Sequence, residues 1–259
     1  MKDVFNFAYS SDLLIFGIDS RKNDNCRMLP NKFMSILLVK RKKEPFKDKW
    51  SLPGGFISLE ETSKEAAKRI LKKETNLSNV YIEQLNTFDD IKRDPRGRVI
   101  STSYIALVDI SKLNDKLDEN ACWFDIELIE NKTNNLIKLK NNNEEFKIVI
   151  DKKLNSITTN EYNYTLKDNG NLSFDHGLLI NVGLNELIKK VNNTDIIFNL
   201  MPKEFTIGEL KQVYELILGK KLINSAFRRV IKDKVISTEK SVKRGGFRPS
   251  VLFRYKKEK

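Results

Sequence analysis

The sequence predicts an α/β chain in two parts: a sheet with helices packed on it, then a small basic helix-turn-helix with a wing. Three observations carry that expectation. Apolar, β-branched runs alternate with polar loops in the first half and read as strands. Amphipathic helices announced by capping boxes begin at Thr62 and Thr206. Charge is unevenly placed, with 16 Lys and Arg against 6 Asp and Glu in residues 201–259 but 31 against 29 in the first 200, so nearly all of the +12 net charge lies in the last quarter. Such asymmetry is the electrostatic footprint of a polyanion partner, most often nucleic acid. A solvated, Lys-rich tail is the bland alternative.

At 259 residues the chain exceeds a typical single domain, and its 40% hydrophobic content can build cores in two. No apolar stretch approaches ~20 residues, so a membrane partner is not expected and a cytoplasmic location is. Cys26 and Cys122 are the only cysteines, too few for a disulfide framework or a zinc set.

Taken in order, Leu13 to Asp19 and Phe33 to Arg41 read as strands joined by a polar loop. Thr62 and Glu65 then open a helix whose Ala66, Ala67, Ile70, Leu71 and Glu74 share one face. Val80 to Leu85 and Val99 to Val108 read as further strands. Between them Pro95 and Gly97 mark a tight turn, and Arg93, Arg96 and Arg98 offer forked donors suited to phosphate or carboxylate oxygens. A charged surface turn is the competing view. The alternating Ile137-Lys138-Leu139-Lys140 and the run Phe146 to Ile150 suggest a hairpin with loops. Asp175 is placed to cap a helix running to Val191. His176, the single histidine, is expected to be structural.

The last quarter reads as a helix-turn-helix. Leu210, Val213, Tyr214 and Ile217 form an apolar stripe that stops at Gly219. A second helix from Asn224 should turn Phe227, Val230 and Ile231 inward and project Arg228, Arg229 and Lys232. Val235-Ile236-Ser237 and Val251 to Tyr255 bracket a Gly-rich basic loop, the pattern of a wing that tracks phosphates or reaches a minor groove. Candidate DNA-contacting residues are therefore Asn224, Ser225, Arg228, Arg229 and Lys232 on the helix and Lys243, Arg244 and Arg248 in the wing. Winged helices also serve protein contacts, so the architecture alone does not decide.

The segment Trp50-Ser51-Leu52-Pro53-Gly54-Gly55-Phe56, followed by Glu61, Arg69, Leu71, Glu74 and Leu77, resembles the Nudix box of enzymes that cleave nucleoside diphosphates linked to another group. Three positions depart from it: Ile70 and Lys73 stand where the family has glutamates, and Asn76 where it has glycine. Pyrophosphate hydrolysis needs a hard cation held by clustered carboxylates, so one surviving box ligand beside a lysine implies little or no hydrolysis. Catalytic and metal-ligating residues are accordingly expected to be none, and no cofactor to be required.

With Phe174-Asp175-His176, Phe227-Arg228-Arg229 and Arg244-Gly245-Gly246-Phe247-Arg248-Pro249 in this order, the chain is similar to the Nudix-related transcriptional regulators. That resemblance implies an α/β/α sandwich at 1–174 with an insertion at about 125–171, a linker helix at 175–199 and a winged helix at 200–259. It implies that a degenerate Nudix domain senses ADP-ribose, a related nucleotide or a sugar, with Arg69, Glu74, Arg93, Arg96 and Arg98 as candidate effector contacts. It further implies a homodimeric repressor on an inverted-repeat operator in double-stranded DNA, controlling genes such as those of NAD metabolism. The alternative is an active ADP-ribose pyrophosphatase with a nucleic-acid-binding tail.

Overall fold

The computed structural model describes residues 7–25, 28–113, 117–156, 158–159, 161–243 and 249–256. The chain divides into two compact units, one of Met1–Phe16, Ser35–Leu107 and Leu113–Glu186, the other of Gly17–Met34, Val108–Lys112 and Leu187–Lys259.

The main sheet is built from β1 (Ala8–Arg21), β2 (Asn31–Lys40), β3 (Trp50–Ser51), β4 (Gly54–Phe56), β5 (Tyr81–Phe88), β6 (Val99–Val108), β7 (Ala121–Glu130), β8 (Asn134–Lys140), β9 (Glu145–Ser156) and β10 (Glu161–Asp168). Their order is β10-β9-β8-β7-β2-β1-β6-β5, with β3 paired to β2 and β4 to β1. In β1, Leu13, Leu14, Ile15 and Phe16 are wholly buried, which is why this central strand reads as a continuous apolar run rather than an alternation. Toward the β10 edge the pattern changes to period two. Ile137 and Leu139 of β8 and Ile148 and Ile150 of β9 are buried, while Lys140 and Lys147 between them are exposed.

The stretch expected to hold one hairpin with loops is an antiparallel meander of β7, β8, β9 and β10 that widens the sheet. The hairpin is β8–β9; the further strand β10 escaped the sequence reading because its Tyr162, Tyr164 and Leu166 alternate with polar residues and lie only half-buried.

Helix α1 (Ser63–Thr75) begins with the expected capping box, in which the Thr62 hydroxyl accepts from the Glu65 N–H and the Glu65 carboxylate accepts from the Thr62 N–H. It ends on Asn76, whose φ of 53° is left-handed. Asn is the residue that tolerates that region best after Gly, so the loss of the family glycine leaves the helix stop intact. Helix α2 (His176–Asn193) runs from the first unit into residues of the second. The expected cap differs in detail: the Asp175 carboxylate binds Arg93, and Asn169 Oδ1 accepts the Gly177 N–H at 3.0 Å in its place.

In the second unit, α3 (Ile207–Leu218) is capped by Thr206 and Glu209 and closed by Gly219 at φ 63°. Helix α4 (Asn224–Ile231) follows, and β11 (Val235–Val242) pairs antiparallel with β12 (Ser250–Tyr255). Leu210, Val213, Tyr214, Ile217, Phe227 and Ile231 make the core, with Tyr214 and Phe227 edge to face at 5.2 Å. Asp195 ties in the strands by accepting from Lys234 at 2.5 Å and from the Tyr255 hydroxyl at 3.1 Å. Val230, expected inward, is instead 58% exposed. In so short a helix Phe227 and Ile231, one turn apart, already span the contact with α3, and Val230 falls outside that line.

Candidate functional site

Two regions concern the residues singled out from the sequence: a charged cleft in the first unit, which takes in some of them, and α4 with the strands of its wing in the second.

The cleft is shaped by Asp12 of β1, which lies almost fully buried at the start of the central apolar run. One carboxylate oxygen accepts from Ser101 Oγ at 2.6 Å and faces Arg93 at 3.4 Å. The other lies so close to Gly54 that a Cβ there would sit 2.3 Å away, so the Gly54 position of the box loop is glycine for reasons of space. Arg93 in turn grips Asp175 with two parallel hydrogen bonds of 3.0 and 2.9 Å. Its side chain is 4% exposed. Burial pulls the Arg93 pKa down, but the two carboxylates outweigh it and the net shift is upward. Arg93 therefore joins β1, the 89–98 turn and the start of α2 in one buried cluster.

His176 completes this cluster. Its Nδ1 accepts the Leu52 N–H at 2.9 Å, which assigns the proton to Nε2, 4.0 Å from Asp12. Burial lowers its pKa and keeps it neutral. The histidine fixes the strand-to-box turn, in line with the structural role expected for it.

Above the buried pairs the walls are cations and rings. Asp94 and Arg96 form a two-pronged pair at 2.6 and 2.9 Å, and the Gly97 N–H donates to the Asp94 carbonyl to close the turn. Gly97 holds φ 144°, a conformation that β-carbon-bearing residues rarely adopt. The Arg96 guanidinium lies 5.2 Å from the Phe56 ring and 5.4 Å from that of Phe174, and Arg41 lies 4.7 Å from Phe174. Partial burial and the neighbouring Arg96 lower the Arg41 pKa. Phe174 is held at φ 50°, a strained conformation for an aromatic residue. The widened sheet braces this wall: Glu144, in the β8–β9 turn, accepts from Trp50 Nε1 at 2.8 Å and from Asn171 Nδ2 at 3.0 Å. The cleft encloses about 150 Å³. That is below the roughly 300–1,000 Å³ of closed ligand pockets, so a ligand of nucleotide size would extend over its open mouth.

Of the five candidate effector contacts, Arg93 and Arg96 line this cleft. Arg98 bonds the Asp89 carbonyl outside the lining. Arg69 is held by Glu61 in a double contact of 2.6 and 3.0 Å, which lowers the Glu61 pKa to about 2. Glu74 lies buried on α1, where Lys73 Nζ donates to its Oε1 at 2.8 Å. The sequence reading assigned no site role to Asp12, Arg41, Ser101 or Phe174. Asp12 left a signal as a lone carboxylate heading an apolar run, and Phe174 stood in the Phe174-Asp175-His176 motif without a role.

On α4 and its C-cap, Asn224, Ser225, Arg228, Arg229 and Lys232 are all exposed, and so is Lys243, just after β11. Arg228, Arg229 and Lys232 have no hydrogen-bond or ion-pair partner among the described residues. The remaining wing candidates, Arg244 and Arg248, lie outside the described residues.

Comparison with known families matches residues 25–146 to the NUDIX domain and residues 197–255 to the NrtR DNA-binding winged helix domain. The chain therefore carries a region matched by the NUDIX domain model, followed by one matched by the NrtR winged helix model. It is homologous to the ADPR responsive transcriptional repressor NtrR of Acinetobacter baylyi, with 29% identity over 249 residues covering 94% of this chain and 80% of that one. The ADP-ribose pyrophosphatase of Methanocaldococcus jannaschii is 47% identical over 70 residues, 27% of this chain and 41% of that enzyme. The crystal structure of Shewanella oneidensis NrtR complexed with a 27mer DNA shares the fold, with a TM-score of 0.68 at 24% identity over 96% of this chain and 93% of that one.

A Nudix hydrolase binds a divalent cation through box carboxylates, and the residues present here do not fit one. Arg69 holds Glu61, Lys73 holds Oε1 of the buried Glu74 and leaves Oε2 without a partner, Ile70 is a buried aliphatic, and no group of three His, Cys, Asp or Glu among the described residues is placed to hold a metal. A lysine ammonium beside the remaining carboxylate repels a second cation.

Proposed function

We propose that this protein is a DNA-binding transcriptional repressor whose first unit senses ADP-ribose or a related nucleotide or sugar without hydrolysing it. The observation that carries this reading is the state of the box: its loop, cap and helix stop persist, while the glutamates expected at positions 70 and 73 are Ile and Lys and the remaining Glu74 is paired with Lys73. The cleft supplies what an anionic, ring-bearing effector requires, guanidinium groups of Arg41 and Arg96 beside the faces of Phe56 and Phe174. Arg93 links that cleft to Asp175, the residue before α2. Since α2 carries residues of both units, effector binding that shifts Arg93 changes the start of the linker helix. The winged helix of a cytoplasmic homodimer then binds an inverted-repeat operator. The Acinetobacter relative, a repressor described as ADPR responsive, supports this assignment. Residues 1–174, 175–199 and 200–259 serve in this scheme as sensor, linker and DNA-binding domain.

A second reading, an ADP-ribose pyrophosphatase, is favoured by the 70-residue match to the Methanocaldococcus enzyme. Incubation of pure protein with ADP-ribose and Mg²⁺ or Mn²⁺ separates the two. Turnover on the order of 1 to 10³ per second would establish the enzyme; intact ADP-ribose together with effector-dependent DNA binding would establish the sensor.

A further inference from the structure

The exposed surface of α4 is divided by Arg229 into two stripes, and only one of them is charged. Phe227 and Ile231 anchor the helix inward. At about 100° per residue, Arg229 falls opposite them, at the crest of the exposed side. Ser225, Arg228 and Lys232 lie to one side of that crest. Ala226 and Val230 lie to the other, four residues apart and therefore in one line along the helix, and the exposed Ile223 precedes the first turn as its N-cap. This second stripe is apolar and uncovered, with Ile223 74% and Val230 58% exposed.

An apolar line beside a row of cations that have no ion-pair partner among the described residues matches a surface that is anionic at its rims and carries apolar groups on its floor. The major groove of B-DNA is such a surface, bordered by phosphates and floored by base edges from which thymine C5-methyl groups project. A second copy of the same helix is a poorer match, because it would press Arg229 and its neighbours against like charges.

We propose that Ile223, Ala226 and Val230 read thymine methyl groups in the major groove, so that each half-site requires thymine at fixed positions beside the base pair contacted by Arg229. This inference rests on the DNA-binding reading above and adds to it the base type that the apolar stripe selects.

The test uses the full-length chain. Duplexes are recovered by repeated binding selection from random-sequence DNA, then remade with deoxyuridine replacing one thymidine at a time, a change that removes the methyl group and keeps every hydrogen-bonding atom. Binding should weaken about fourfold at each contacted thymine, the value of one buried methyl group, with the salt dependence unchanged. The surface variants Ile223→Ser and Val230→Ser should melt like the parent, and each should bind the thymidine and deoxyuridine duplexes alike at the thymine that its own side chain contacts. Equal binding of both duplex types by the parent protein would overturn the inference and leave DNA binding standing. Recovery of no bound duplex at all would overturn both. Serine variants that change oligomeric state yet keep the thymine preference would assign the stripe to a contact between copies and overturn it as well.

Discussion

The arginines of the 89–98 turn and those of α4 share one chemistry and face opposite situations. Arg93 is committed to Asp175 and Asp12, Arg96 to Asp94, and Arg98 to the Asp89 carbonyl. Arg228 and Arg229 stand exposed with no ion pair among the described residues. Pairing fixes a guanidinium in place, so the first set can build a shaped site that recognises a small ligand by geometry. Leaving the charge unpaired keeps it available for a polyanion, at the cost of little local order.

Breaking the buried cluster should have the largest effect on stability. Arg93→Ala leaves Asp12 and Asp175 uncompensated and should destabilise the protein by about 3–5 kcal/mol in urea or thermal unfolding. Arg229→Ala, by contrast, should stay within roughly 0.5 kcal/mol of the parent, because nothing buried depends on it. A stability loss at Arg229 equal to that at Arg93 would erase the distinction between the two sets.

Next in size is the loss of DNA recognition. Arg228→Ala or Arg229→Ala should cost about 1–3 kcal/mol of operator affinity wherever the side chain makes a bidentate base contact. Lys243→Ala should weaken all sequences about equally and flatten the salt dependence. Titrations on operator and scrambled duplexes at several salt concentrations distinguish these patterns.

The turn can be dissected within itself. Arg96→Ala should weaken effector binding while DNA affinity of the free protein stays nearly intact, and Arg98→Ala should weaken effector binding less, since Arg98 lies outside the cleft lining. Calorimetric titration of ADP-ribose into both variants ranks them, and a larger loss at Arg98 would move the site away from the cleft.

The smallest expected effect is a pH slope. His176 is buried neutral with its pKa lowered from 6.5, so below that pH the unfolded chain takes up a proton that the folded chain refuses. Stability should therefore decline as pH falls below about 6.5. His176→Asn, whose side-chain carbonyl can still accept the Leu52 N–H, should remove that part of the slope. An unchanged slope would assign it to other groups.

Local signals carried most of the fold and little of the cleft. The capping boxes at Thr62 and Thr206, the stop at Gly219 and the strand Val99–Val108 all depend on neighbouring residues and could be read directly. Asp12 and Asp175 are 163 positions apart in sequence and meet only through Arg93, so no spacing in the chain announces their pairing. Val230 was misread for a related reason: periodicity shows that a residue is apolar, and only the neighbouring helix decides whether it is covered. Strand β10 was missed because an edge strand needs no buried face to form.

The most direct test follows a fluorescent operator duplex bound to the full-length protein while ADP-ribose is added, with the nucleotide assayed afterwards. The account expects the anisotropy to fall as ADP-ribose rises, the Arg96→Ala variant to need more of it, and the ADP-ribose to be recovered intact in the presence of Mg²⁺. Unchanged anisotropy together with ADP-ribose cleaved at ordinary enzyme rates would contradict it.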